Sequence, residues 1–106
     1  MTPEGRVKAA IKKVLDLYKP DVYAHWPVQN GMGSPTLDCN GIANGLAFSI
    51  EAKAPGEKPT ERQQKTIRDI ERAGGVVFVI DGQKSQLDEL DLWLDRALTG
   101  GSDAEA

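Results

Sequence analysis

Asp38, Glu51 and Lys53 are the residues of this chain whose types and spacing could do chemistry together. Two carboxylates that meet in space make a seat for a hard divalent cation such as Mg²⁺ or Mn²⁺, which favours oxygen ligands. A lysine beside one of them can orient a water molecule and stabilise charge that builds up on a phosphoryl group. Alone, a Glu-x-Lys is an ordinary surface ion pair and a single Asp means nothing. The three matter together only if the fold brings them to one place.

The element that must do so is a hairpin. Leu46, Phe48, Ile50 and Ala52 alternate with Ala47, Ser49, Glu51 and Lys53, the period of a strand, so Glu51 and Lys53 share one face while the apolar set packs under helices. Leu37 to Ala43 reads as the preceding arm, joined through an Asn44-Gly45 turn. Asn40-Gly41 is a competing turn, and the register depends on which is used. With the turn at Asn44-Gly45, Asp38 and Glu51 lie opposite one another, a like-charge clash unless a cation bridges it.

Around the hairpin, the chain alternates helical and extended patterns. Thr2 caps a helix that has Pro3 at its first position and a stripe of Val7, Ala10, Ile11, Val14, Leu17 and Tyr18. Lys8, Lys12 and Lys13 fall off that stripe and read as its solvated face. Glu4 continues the stripe at its outer end, where a carboxylate either complements the helix dipole or reaches into a site. Lys19-Pro20-Asp21 ends the helix. Val22 to Val28 reads as a strand near an edge because of Pro27, with His25 as a strand side chain rather than a ligand. Gln29 to Pro35 is a glycine-rich connector that could border a substrate; no Gly-Lys-Ser/Thr follows, so it is not a nucleotide-binding loop.

After Lys53, a loop leads to Thr60, which caps a second helix with Gln63 at the capping-box position and Ile67, Ile70 and Ala73 inward. Gly74-Gly75 ends it. Val76 to Ile80 is apolar throughout, the pattern of a strand covered on both faces. Ser85 is expected to cap a last helix whose Leu87, Leu90, Trp93, Leu94, Ala97 and Leu98 form a broad apolar face. The order helix, strand, strand, strand, helix, strand, helix contains a βαβ crossover, which predicts parallel strands on either side of the second helix. The fold class is α/β, a mixed sheet flanked by helices. Residues 1–98 form one domain, and the polar, acidic 99–106 a disordered tail.

The totals are compatible with this. A length of 106 residues gives one modest core. The net charge of −3 carries no bulk basic signature of a general nucleic-acid binder, although clustered metal-binding carboxylates themselves lower net charge. The single Cys39 cannot pair within the chain, there is no apolar run of membrane-spanning length and no signal-peptide pattern, so a cytoplasmic protein is expected.

Glu4 on a first helix, Asp38 and then Glu51-Ala52-Lys53 on a hairpin, and Thr60-x-x-Gln63 opening a second helix resemble, in order and spacing, the PD-(D/E)xK nucleases. Within that group the chain is most similar to the virus-type replication-repair nuclease domains, VRR-NUC. The resemblance covers Thr2 to Gly82 and is carried by Gly33–Asp38, Ile50–Lys53, Pro59–Gln63 and Ala73–Val77. The group's motif has Pro directly before the Asp; here Pro35 stands three residues upstream, which leaves the chemistry intact because Pro supplies no ligand.

The resemblance implies a restriction-endonuclease-like core and Mg²⁺- or Mn²⁺-dependent hydrolysis of DNA phosphodiesters. It implies that Asp38, Glu51 and the backbone carbonyl of Ala52 hold the metal, that Glu4 contacts it directly or through water, that Lys53 activates the attacking water, and that Gln63 orients a group in the site. Lys58, Arg62, Lys65, Lys84 and Arg6 are expected to supply a positive rim that contacts the DNA backbone. It further implies a homodimer that resolves branched DNA such as Holliday junctions, with part of the last helix's face, anchored by Trp93, in the interface. The competing class is a non-catalytic DNA-binding or assembly module on the same fold.

Overall fold

The computed structural model describes residues 1–29 and 31–100. Asn30, within the glycine-rich connector, and residues 101–106 of the expected tail lie outside the described residues.

Thr2 begins helix α1 (Pro3–Asp16) as expected: its hydroxyl accepts the Gly5 N–H at 2.9 Å. The buried stripe is Val7, Ile11 and Leu15, spaced one turn apart. Leu17, expected inside, is instead 72% exposed, because the helix ends at Asp16 and Leu17 serves only as its C-cap. Tyr18 then anchors this end of α1, donating its hydroxyl to the Asp91 carbonyl at 3.0 Å and to the Asp91 carboxylate. Burial first, and the Asp91 hydrogen bond next, push the Tyr18 phenol up to about 12.

Strand β1 (Val22–His25) is shorter than expected, leaving the sheet before Trp26-Pro27, since Pro27 has no N–H to continue a ladder. His25 is exposed. Strands β2 (Cys39–Ala43) and β3 (Leu46–Ala52) form the hairpin, with Ala43 opposite Leu46, so the turn is Asn44-Gly45. Asn44 and Gly45 both have positive φ, 50° and 80°, as a two-residue hairpin requires. The Asn44 side chain also donates to the Ala97 carbonyl at 2.9 Å. Gly41, in the competing turn, has a different task. It lies opposite Phe48, and a Cβ there would come within 2.4 Å of the Phe48 ring and of the Tyr23 carbonyl oxygen.

Helix α2 (Glu61–Arg72) carries the expected capping box, and it connects β3 to β4 (Val76–Ile80), which pair in parallel. The four-stranded mixed sheet runs β1-β2-β3-β4. Its α/β class is the one expected. Strand β4 departs from expectation: it is an edge, Val76 to Val79 are only half-buried, and Ile80 alone is buried. No residue of α2 is fully buried. An apolar strand at the rim of so small a sheet has too little protein to cover it.

Helix α3 (Lys84–Thr99) starts at Gln83 rather than Ser85 and takes in Thr99. The Gln86 side chain holds this start together by accepting the Asp81 and Gln83 N–H groups at 2.8 and 3.3 Å. Helices α1 and α3 pack on each other and on the sheet face that carries Phe48, Ile50 and Ala52. Trp93 lies edge-on to Phe48 and Phe78, with centroids 5.6 and 5.7 Å away, so its ring is engaged within the chain.

Candidate functional site

The opposite face of the hairpin is polar. Alternation from the buried Cys39 and Ile50 puts Asn40 beside Ser49 there, and the Ser49 hydroxyl donates to the Asn40 side chain at 2.7 Å. One step further toward the open end of the hairpin, the same register sets Asp38 against Glu51. The Asp38 carboxylate reaches across to accept the Ala52 N–H at 2.9 Å, and its second oxygen accepts the Gln29 side-chain amide at 2.8 Å. Asp38 and Glu51 are 8% and 3% exposed, an unusual depth for two carboxylates side by side.

That depth has an electrostatic consequence. Desolvation first, and the neighbouring Asp38 charge second, raise the Glu51 carboxyl to about 7; Lys53 and the Asp38 backbone N–H pull it back in part. The Lys53 ammonium is 3.7 Å from Glu51 and itself mostly buried. Lys8 stands 3.8 Å from Asp38 and 3.5 Å from Glu4, between the two acids.

All five residues singled out for the site, Glu4, Asp38, Glu51, Lys53 and Gln63, line one open cavity of about 480 Å³. Gln63 makes the capping contact, its Oε1 accepting the Thr60 N–H at 2.9 Å, and the residue also forms part of the cavity wall. Ala52 gives its N–H to Asp38 at the same residue whose carbonyl the resemblance enlists.

The five residues expected to form a positive rim lie outside the wall of this cavity. Lys65 and Lys84 are tied along their own helices to Asp69 and Asp88, at 2.9 and 2.7 Å. Arg6 and Lys58 are exposed and outside the cavity wall, while Arg62 borders an adjoining cavity. Besides Lys53, the cations lining the cavity are Lys8 and Lys12, which the helical stripe assigned to solvent. They follow Glu4 at successive turns, so projecting from Glu4 rather than from the apolar stripe finds them. Gln29 opens the connector that was expected to border a substrate, whereas Trp26, read as a strand side chain, was not singled out for the site.

The residues fit a hard divalent cation. Two crowded, desolvated carboxylates, one with a pKa near neutrality, are what such a charge would relieve. Among the described residues each Asp38 oxygen carries one hydrogen bond, and a carboxylate has about four lone-pair sites, so capacity remains. Among the described residues no three His, Cys, Asp or Glu side chains form a ready metal-holding group. Two carboxylates, one carbonyl and retained water is a donor set suited to Mg²⁺, which keeps several waters. No protein-family model matches the chain, and no curated protein does.

Proposed function

We propose that this protein is a metal-dependent endonuclease that hydrolyses DNA phosphodiester bonds, selecting branched structures. The observation that carries the proposal is the buried opposition of Asp38 and Glu51, with Lys53 3.7 Å from Glu51 in an open polar cavity. Bound between these carboxylates, Mg²⁺ or Mn²⁺ would polarise the phosphate and acidify a water. The chain's own residues do the rest. Asp38 is held in place by Ala52 and Gln29, so it needs no rearrangement to act as a ligand. Lys53 orients the attacking water and stabilises charge on the phosphoryl oxygens. Glu4, paired with Lys8 at 3.5 Å, contacts the metal directly or through water, and Gln63, in the cavity wall at the start of α2, orients a group in the site. These are the roles expected from the resemblance to VRR-NUC domains.

Among the described residues no helix is long and apolar enough to cross a membrane. The buried free thiol of Cys39 supports a cytoplasmic setting. A homodimer would place two such sites on a two-fold axis, suited to paired cuts in a four-way junction. The Trp93 ring packs edge-on to Phe48 and Phe78 and is half-buried within the chain.

The test is incubation of the purified protein with supercoiled plasmid, linear duplex, flapped and four-way DNA in Mg²⁺, Mn²⁺ or chelator. Scission that requires metal supports the proposal. DNA binding without scission in either metal would replace it with the binding-module reading, and absence of both would end the two together. Sedimentation in the same buffers reads the assembly state.

A further inference from the structure

The cavity sets three acids, Glu4, Asp38 and Glu51, against three lysines, Lys8, Lys12 and Lys53, so no net positive charge draws a polyanion in and the path by which a strand enters it matters. The cavity does not stand alone. A second one, of about 280 Å³ between α1 and β1, adjoins it and shares Lys12 and Trp26. A third, of about 430 Å³, shares Pro27, Gln29 and Gln63 and runs between the connector and the start of α2. A fourth, of about 490 Å³, shares Pro35, Thr36, Arg62 and Thr66 with the third and continues beside α2. The four form one track across the molecule, with Asp38 and Glu51 on its course.

Two cations flank the acids along that track, Lys12 on one side and Arg62 on the other. Among the described residues neither forms an ion pair, unlike Lys19 and Lys65, which also border the track and are held by Asp16 and Asp69. The Lys12 ammonium lies over the Trp26 ring, 4.9 Å from its centroid. That ring also packs against the core, which holds it rigid at the boundary of two cavities.

We propose that the track binds a single unpaired DNA strand in extended form, with one base stacked on Trp26 and the phosphates on either side of Asp38 and Glu51 held by Lys12 and Arg62. The proposal rests on the nuclease reading and gives it a substrate class: an unpaired strand at a branch, gap or end. A duplex hides its base faces inside the stack and offers an indole nothing to stack on. Stacking on an aromatic ring is stronger than the contact of an exposed lysine with the same ring. An arriving phosphate therefore draws the Lys12 ammonium off the ring while the base takes its place. The lysine is a placeholder that becomes a phosphate contact.

The experiment is fluorescence anisotropy of a labelled oligothymidylate of roughly 12 nucleotides, within the span such grooves cover. It is run with Ca²⁺ in place of the catalytic metal, over a range of salt, on wild type, Lys12→Ala and Trp26→Ala. Affinity should fall with salt; Lys12→Ala should lower the slope of log affinity against log salt by about 0.7. Trp26→Ala should weaken binding about tenfold with the slope unchanged. A duplex of the same length should bind more weakly than the single strand. In a Trp93→Phe variant, where Trp26 is the only indole, saturation should quench tryptophan fluorescence. Because Trp26 touches the core, Trp26→Phe, which keeps a ring there, replaces Trp26→Ala if the latter does not fold, and should give a smaller loss of the same kind. Unchanged affinity in Lys12→Ala and the Trp26 variant, or a duplex bound as tightly as the single strand, overturns the proposal. Strand binding of the expected kind with no scission in Mg²⁺ or Mn²⁺ removes the nuclease reading and leaves the track. Metal-dependent scission with these variants indifferent does the reverse.

Discussion

The Asp38 carboxylate accepts the Ala52 backbone N–H across the hairpin at 2.9 Å, so one hydrogen bond ties the register of the sheet to the composition of the site. A slip of one residue between β2 and β3 would send Glu51 to the face of Ile50 and break that bond. The Asn44-Gly45 turn and the fit of the Phe48 ring over Gly41 both oppose the slip.

Asp38→Asn and Glu51→Gln are nearly isosteric and should each lower metal-dependent scission by about a hundredfold or more, the scale of losing a charged ligand. Circular dichroism should show the fold retained. Near wild-type turnover in either variant would take that carboxylate out of the mechanism.

Lys53→Met keeps the length of the side chain and removes its charge. Scission should fall by about a hundredfold, as when a single charge-stabilising donor is removed, with Mn²⁺ affinity retained. Titration calorimetry checks the second half: a loss of affinity as large as that of Glu51→Gln would make Lys53 a structural partner instead.

Gln63 couples helix capping to the cavity wall, and two substitutions separate the roles. Gln63→Ala should cost about 1 kcal/mol of stability by removing the cap on Thr60. Gln63→Glu retains the capping oxygen but adds a negative charge beside the acids, so scission should drop with the melting temperature unchanged. Equal activity in Gln63→Glu and wild type would confine this residue to capping.

Glu51 makes metal-free stability depend on pH. Its carboxyl is raised in the fold from 4.5 to about 7, so the folded state holds a proton that the unfolded state releases. This contribution is fully present below 4.5 and is lost as pH rises through 7. Chemical denaturation in chelator should show that decline, and Glu51→Gln should flatten it. Saturating Mn²⁺ should remove or reverse it, since the metal binds the ionised carboxylate.

Tyr18→Phe should cost about 1 kcal/mol by deleting the hydrogen bonds to Asp91. The phenol's pKa is raised from 10 to about 12, so its stabilising effect holds below pH 10 and disappears as pH passes through 12. The mutant's stability curve should lie below that of wild type at neutral pH and converge with it at the alkaline end.

Element order, the hairpin turn, the Thr60–Gln63 capping box and the opposition of Asp38 to Glu51 were all legible in the sequence, because each depends on a short period or a local turn rule. With the turn at Asn44-Gly45, strand alternation places residues 38 and 51 across from each other, and the Phe48 ring over Gly41 is what excludes the competing turn. The depth of that pair was not legible. Glu51 is buried because α1, Pro27, Gln29 and the start of α2 close around the end of β3, which no spacing within the hairpin encodes. The same closure turns Lys8 and Lys12 from a solvated helix face into a cavity wall and brings Trp26 and Gln29 to the site. Val76 to Val79 show the converse: an apolar run has the composition of a covered strand wherever it lies. Only the strand order, which makes β4 an edge, leaves it half-exposed. Local chemistry determined which side chains could meet, and long-range packing decided which were stripped of water when they did.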